Sequence, residues 1–450
     1  MLDVDRPEQR PEDPAPERRP TRRQRRRQRR ARRRTWFGRH PVASGLLALF
    51  VALSPVWWSL GSALTNPTYG VTLAGRLAEW TRQHGGASFV VWAENVWYSH
   101  HPPKVGGRPP AGALAPNPRA ASPETTPPPA TTHSGSGTGT SGTGTPRTGT
   151  PGRTAPAATA PATVPPLPTP APLVPFAHPA LAGEGTWHPA GRLVNGVPAV
   201  YESFLRPDAV HTSYVAAVAW MDTRLLRATL YSGSYIPGGG PWPFTAPIEP
   251  AQAKTLVAAF NAGFLMSNSE GGYYTDHKMF IPLRKGGASF VIYKNGSANI
   301  GAWDAGVSMT PQVVSVRQNL VLLVNHGAPV PNLNANDTTV WGATLGNQIY
   351  VWRSGIGITA NGALVYVAGP YLNITDLANL LVRAGAVRAM ELDINTDWVN
   401  YATFKPPTAN GLASATNGTD LLSDMSASPA RYFDPAWARD FFTMSARTGG

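Results

Sequence analysis

Residues 386–397 read AVRAMELDINTD, and acids recur there at every second position: Glu391, Asp393 and, after Asn395, Asp397. On a strand successive side chains point to opposite faces. Glu391, Asp393 and Asn395 then share one face, and Met390, Leu392 and Ile394 share the other. Like charges side by side repel, and burying an unpartnered carboxylate is costly. The spacing therefore calls for an arginine, a cation or a substrate beside the acids. A divalent cation held by Glu391, Asp393 and Asp397 is one use of this set. Acid/base or nucleophilic work by Asp393, with Glu391 as partner, is the other.

Three further stretches carry polar groups in apolar surroundings. Residues 350–358, YVWRSGIGI, place Arg353 inside an apolar run. A buried arginine must be paired. It can neutralise Glu391 or Asp393, or grip a phosphate through two parallel hydrogen bonds. Residues 258–264, AAFNAGF, set Asn261 between apolar neighbours, either as a turn residue or as an amide that binds a sugar hydroxyl or phosphate oxygen. Residues 271–274, GGYY, read as a glycine-rich loop whose Tyr273 suits stacking on a sugar. His277 and His326 read as structural, because neither pairs with a nucleophilic serine. The nucleophile-elbow, zinc-protease, phosphate-loop and dinucleotide signatures are missing from the places where they would act.

Strands are expected to position these groups. Apolar, β-branched runs fall at 215–221, 225–231, 289–293, 321–324, 348–353, 357–359, 363–367 and 388–394. Asn295-Gly296 and Asn361-Gly362 read as hairpin turns. Two helices are expected. One covers 250–259 and leads into Asn261. The other covers 375–384, with Thr375 as N-cap, Asp376 in its first turn and Gly385 just past its end. This second helix, a glycine turn and the acid-bearing strand make an α/β corner.

The rest of the chain divides by composition. Residues 1–40 hold fifteen arginines and six acids, whereas 177–450 hold seventeen basic and seventeen acidic residues. The high isoelectric point thus belongs to the N-terminus and implies no nucleic-acid face on the folded part. Residues 1–41 read as a disordered basic tail, ten of the thirteen residues 22–34 being arginine. Residues 42–64 carry no charge; as a helix they would span about 35 Å, enough for a bilayer core. With arginines on one side, tryptophans near the far end and Pro55 as a kink, they read as an uncleaved signal anchor. That leaves the N-terminus cytoplasmic and the remainder outside. Residues 65–101 read as a short membrane-proximal segment, with His100-His101 exposed. Residues 102–176 are Pro/Thr/Gly/Ser-rich and read as a disordered linker. Residues 177–446 form the folded domain. It has no cysteine, so its core alone must hold it.

Taken in order, AAFNAGF, WRSGIGI, NGALVYVAG, ITDLANLLVRAGA and AMELDIN resemble the phosphodiester glycosidases, over about residues 200–430. The resemblance implies an α+β domain of curved mixed or antiparallel sheets with a few packed helices. It implies hydrolysis of the bond between a sugar's anomeric carbon and a phosphodiester, the partner being a sugar-1-phosphodiester or phosphorylated glycan. Asn261, Arg353 and Asp393 fall on the family's Asn, Arg and Asp. The family continues after that Asp with a glycine run and a serine; here Ile394-Asn395-Thr396-Asp397 stands instead. Glu391 or Asp397 would then supply what that loop does not. An inactive envelope-glycan-binding or scaffold protein is the competing expectation.

Overall fold

The computed structural model describes residues 40–66, 72–86, 102–117 and 165–447, less short gaps at 332, 338–339, 343–348 and 427, with a few isolated residues before 94. The arginine run and His100-His101 lie almost wholly outside the described residues.

Two compact units are distinguished, residues 1–62 and 63–450. The apolar N-terminal run forms two helices, α1 (Pro41–Ala52) and α2 (Ser54–Thr65), rather than one. They are bent by 53° at the break. Pro55 lies at that break; it has no N–H to offer and its ring crowds the preceding turn. No single helix among the described residues is long and apolar enough to cross a membrane, although the bent pair together is. A third helix, α3 (Leu73–Thr81), follows.

Among its described residues the second unit is built on eighteen strands. The first four are β1 (His188–Val194), β2 (Val197–Leu205), β3 (Ala216–Met221) and β4 (Leu226–Tyr231). After a single turn of helix, α4 (Pro250–Ala253), come β5 (Leu256–Asn261), β6 (Tyr273–Thr275), β7 (Lys278–Ile281), β8 (Ala288–Tyr293) and β9 (Ala298–Ala302). Next are β10 (Val313–Gln318), β11 (Leu322–Asn325), β12 (Ala328–Pro329), β13 (Val351–Thr359) and β14 (Leu364–Leu372). Helix α5 (Ile374–Arg383) leads into β15 (Ala386–Glu391), and β16 (Tyr401–Phe404), β17 (Gly418–Asp420) and β18 (Phe441–Ala446) close the chain.

Three antiparallel sheets result. The largest has the order β1-β2-β3-β14-β13-β15-β11-β12, and the two five-stranded sheets run β7-β6-β10-β8-β9 and β17-β16-β5-β18-β4. One core cluster joins Ile356, Tyr366 and Met390 of the large sheet to Phe260, Phe290 and Phe442 of the smaller ones. A second packs Leu377, Leu380 and Leu381 of α5 onto Val218, Val365 and Ala389. This is the α+β architecture expected from the sequence.

Two local expectations change. Residues 250–259 hold one helical turn and then β5, all six of whose residues are buried. A short apolar run buried on both faces has no periodicity to separate strand from helix. Helix α5 is capped by Asn373, not Thr375. Asp376 N donates to Asn373 Oδ1 at 2.9 Å and Asn373 N donates to Asp376 Oδ2 at 3.1 Å, a reciprocal capping box. Gly385 ends the helix as expected, at φ 90°. Both Asn-Gly hairpins form, β8–β9 and β13–β14, with Gly296 and Gly362 at φ 75° and 89°.

The expected linker is ordered at both ends. Gly106 N donates to Val210 O at 2.7 Å and Lys104 N to Tyr214 Oη at 3.0 Å. At the other end Leu167 N donates to Asp222 Oδ2 at 2.7 Å, and Leu167 and Leu173 are buried.

On β2, Glu202 is wholly buried with one long hydrogen bond, accepted from Thr403 Oγ1 at 3.4 Å. Burial pushes its pKa up to about 8 from 4.5. The folded state therefore keeps a proton between these values that the unfolded state has lost, and stability falls as pH rises through that window. The Glu202→Gln variant is expected to flatten part of this fall, read from denaturant midpoints across pH 4.5 to 8.

Candidate active site

Strand β15 ends at Glu391, and the chain turns before Asp393. The turn is fixed from both neighbours. Ser354 N and Oγ donate to Asp393 O at 2.9 and 2.8 Å, and Asp393 N donates back to Ser354 Oγ at 3.1 Å. Asn319 Nδ2 donates to Glu391 O and Leu392 O at 3.0 and 3.1 Å. Asn319 also presses on Gly263, where any Cβ would collide with its side chain. That contact gives the glycine in AAFNAGF a steric reason.

The two carboxylates consequently go to different arginines. Glu391 Oε1 accepts from Arg353 Nη1 at 2.6 Å, both groups being buried against α5. Arg353 also donates to Leu372 O, Trp341 O and Ile349 O. Glu391 is pushed up to about 7, chiefly by burial, with Arg353 opposing. Neither residue lines a cleft. Asp393 instead meets Arg439, whose Nη2 donates to Oδ2 at 2.5 Å. Its Oδ1 accepts from Ile394 N and Asn395 N at 2.8 and 3.0 Å. Burial raises the pKa of Asp393, and Arg439 and the two amides pull it back.

Asp393 lies in a cleft with Asn261, Gly263, Trp398, Arg431, Arg439 and Asp440. The accessible volume of the whole cleft is about 10 Å³, room for about one water. Trp398 and Trp437 pack with ring centroids 5.4 Å apart. Arg439 lies over Trp398 at 4.7 Å and Arg431 over Trp437 at 4.5 Å, within cation–π range. Asp440 Oδ2 accepts from Arg317 Nε at 2.7 Å, while its Oδ1 is buried without a hydrogen-bond partner. Arg431 is buried with Nε, Nη1 and Nη2 all unpartnered.

Of the residues expected from sequence, the cleft thus gathers Asp393 and Asn261. Asn261 spends its full capacity on protein. Nδ2 donates to Ala262 O and Ser354 Oγ, and Oδ1 accepts from Tyr366 Oη and Asn400 N. An amide has two donors and two lone pairs, so Asn261 braces the site and has nothing left for a ligand. Tyr273 is fully buried in β6, its hydroxyl 3.0 Å from Ser232 Oγ, so it cannot stack on a sugar. Asn395 is exposed, and its Oδ1 accepts from Asp397 N. Asp397 is buried beside Gly75 of α3. Among the described residues no three acidic or histidine side chains gather to hold a metal ion, since the strand ends before the expected trio can align. His277 and His326 sit exposed in the turns after β6 and β11 at φ 62° and 52°.

Sequence reading passed over Arg431, Arg439, Asp440, Trp398 and Trp437. One signal was present: residues 431–442, RYFDPAWARDFF, crowd arginine, aspartate and aromatic rings together in a domain poor in charge.

Residues 254–393 match the model of the phosphodiester glycosidase family. The resemblance carried by the ordered motifs therefore has independent support, and with it a glycosidase type of function. The matched segment contains Asn261, Arg353, Glu391 and Asp393; the cleft wall from 398 to 441 lies beyond it. Two solved structures are similar. One is the catalytic domain of zebrafish N-acetylglucosamine-1-phosphodiester alpha-N-acetylglucosaminidase, auto-inhibited by its pro-peptide, at 15% identity over 58% of this chain and 88% of that one, TM-score 0.34. The other is a hypothetical protein from Synechocystis, at 13% identity over 56% of this chain and 63% of that one, TM-score 0.32. No curated protein matches the chain.

Removing one member of a buried ion pair strands the other, at a cost of about 3–5 kcal/mol. The Arg353→Met variant is expected to lose stability on that scale in guanidinium titration. The double variant Arg353→Met/Glu391→Met should recover much of the loss.

Proposed function

We propose that the domain hydrolyses the glycosidic bond of sugar-1-phosphodiesters on cell-envelope glycans. In this reading the bent pair α1–α2 anchors the chain in the membrane, with the arginine tail cytoplasmic and the domain outside. The arginine-rich flank and the charge-free run support that orientation.

The observation that carries the reading is Asp393, buried in a cleft, gripped by Arg439 and aimed by two backbone amides. A carboxylate so held is pre-oriented to attack an anomeric carbon or to take a proton from water. The bond between the anomeric carbon and the bridging phosphate oxygen breaks, water supplies the new oxygen at the sugar and gives up a proton, and a phosphomonoester leaves as an anion. Because that leaving group is already good, neutralising its charge matters more than protonating it. Arg439 is suited to this, since among the described residues only its Nη2 is engaged. Asp440 replaces Glu391 as the second carboxylate, because its Oδ1 lies buried and unpartnered in the same cleft. That oxygen can accept from a sugar hydroxyl or from the attacking water.

One observation favours the inactive glycan-binding alternative. Both Asp393 oxygens are already bonded, in a cleft with space for about one water. Turnover separates the readings. The protein is expected to release sugar and phosphomonoester from sugar-1-phosphodiesters, and Asp393→Asn should lower kcat, read per folded molecule, by roughly 10²–10⁴-fold, with a lower melting temperature because Arg439 loses its charge partner. Retention of activity in Asp393→Asn sinks the mechanism. Hydrolysis abolished by a chelator would instead place a cation at Asp393. Burial raises the pKa of Asp393, so a base there protonates early as pH falls. The acid limb of kcat/KM should then lie above the ordinary aspartate value of about 3.9.

A further inference from the structure

Six arginines are buried among the described residues. Arg206, Arg317, Arg353 and Arg439 each meet a carboxylate, and Arg192 donates to two backbone carbonyls. Arg431 alone of the six makes no side-chain hydrogen bond, although 95% of its surface is covered (relative exposure 5%). Asp397 and Asp420 are close enough to act on it electrostatically, but neither is hydrogen-bonded to it. Burial lowers its pKa to about 10, so the guanidinium is still charged at neutral pH. A buried charge without partners costs several kcal/mol.

Its position is nevertheless well determined. Arg431 sits in the 3-10 turn Pro429–Phe433, whose first amide is capped by Ser428 Oγ. The guanidinium rests on Trp437, and the next residue, Tyr432, is pinned through its hydroxyl to Asn400 Oδ1 at 2.5 Å. The side chain lines the same cleft as Asp393. Arg431 and Arg439 cap the two ends of the Trp398–Trp437 pair, so the cleft offers two guanidinium groups across one aromatic wall.

We propose that Arg431 is the residue that selects an anionic substrate, gripping the non-bridging oxygens of the phosphodiester through its unpartnered N–H groups. A planar guanidinium matches phosphate oxygens with two parallel bonds. The cleft as it stands admits about one water, so the anion enters only with movement of the side chains around Arg431. The substrate class rests on the phosphodiester glycosidase reading; the anion site itself does not.

The test uses the full-length chain in detergent, with inorganic phosphate as probe, by calorimetry and thermal shift. Phosphate should bind and raise the melting temperature. Arg431→Gln should weaken binding roughly 10- to 100-fold, and acetate at equal concentration should bind more weakly than phosphate. In kinetics, Arg431→Gln should lose kcat/KM toward the phosphodiester by a similar factor, mainly through KM. Cleavage of a neutral aryl glycoside of the same sugar should change little. If Arg431→Gln does not fold, Arg431→Lys decides, because it keeps the charge and loses the fork; its phosphate affinity should fall by at least about 5-fold. Phosphate that fails to bind, or that binds the variants as it binds wild type, overturns the proposal. Phosphate binding that depends on Arg431 without turnover supports the anion site and refutes the hydrolase.

Discussion

Taking a guanidinium out of water is tolerable only where an anion or several acceptors meet it, and that constraint shapes the centre of this domain. Three buried pairs surround the turn after β15: Arg353 with Glu391, Arg439 with Asp393, and Arg317 with Asp440. Each joins distant parts of the chain. Arg317 bonds Asp440 from β10, and the same arginine reaches Phe264 O and Gln318 O. The smaller sheets and the large sheet are thereby fastened where their edges meet the cleft. A loop held this way has little freedom to relax, which is what a pre-oriented carboxylate requires.

Much of the scaffold was readable from local patterns. Asn-Gly turns demand left-handed backbone and announce hairpins whatever surrounds them. Helix α5 shows a one-sided apolar stripe and an ending glycine. The sequence also called for an arginine, a cation or a substrate beside the acids, and Glu391 and Asp393 each have an arginine. It could not say which, because alternation on a strand cannot reveal where the strand stops. Once β15 ends at Glu391, Asp393 leaves the face shared with its neighbour and meets Arg439, 46 residues later. Asn261 was legible as an unusual amide, but three of its four bonds come from distant residues, Ser354, Tyr366 and Asn400. Tyr273 looked like loop because Gly271 and Gly272 precede it. Both glycines are instead pressed against Gln318 and Pro282, where a side chain would not fit.

The family match and the cleft overlap only in part. The matched segment supplies the large sheet's centre and Asp393, while the arginine-tryptophan wall arrives with the last strands. The cleft is thus assembled from both the matched segment and the chain beyond it. The segment 398–441 also holds Asp393 through Arg439, so substitutions there can disturb the carboxylate as well as the wall.

Both ends of the Pro/Thr/Gly/Ser-rich stretch lie on the same folded unit, one against Val210 and Tyr214, the other against Asp222. A segment that leaves and returns to one body is a closed loop, not a spacer. Its length cannot set how far the domain stands from anything that precedes residue 102.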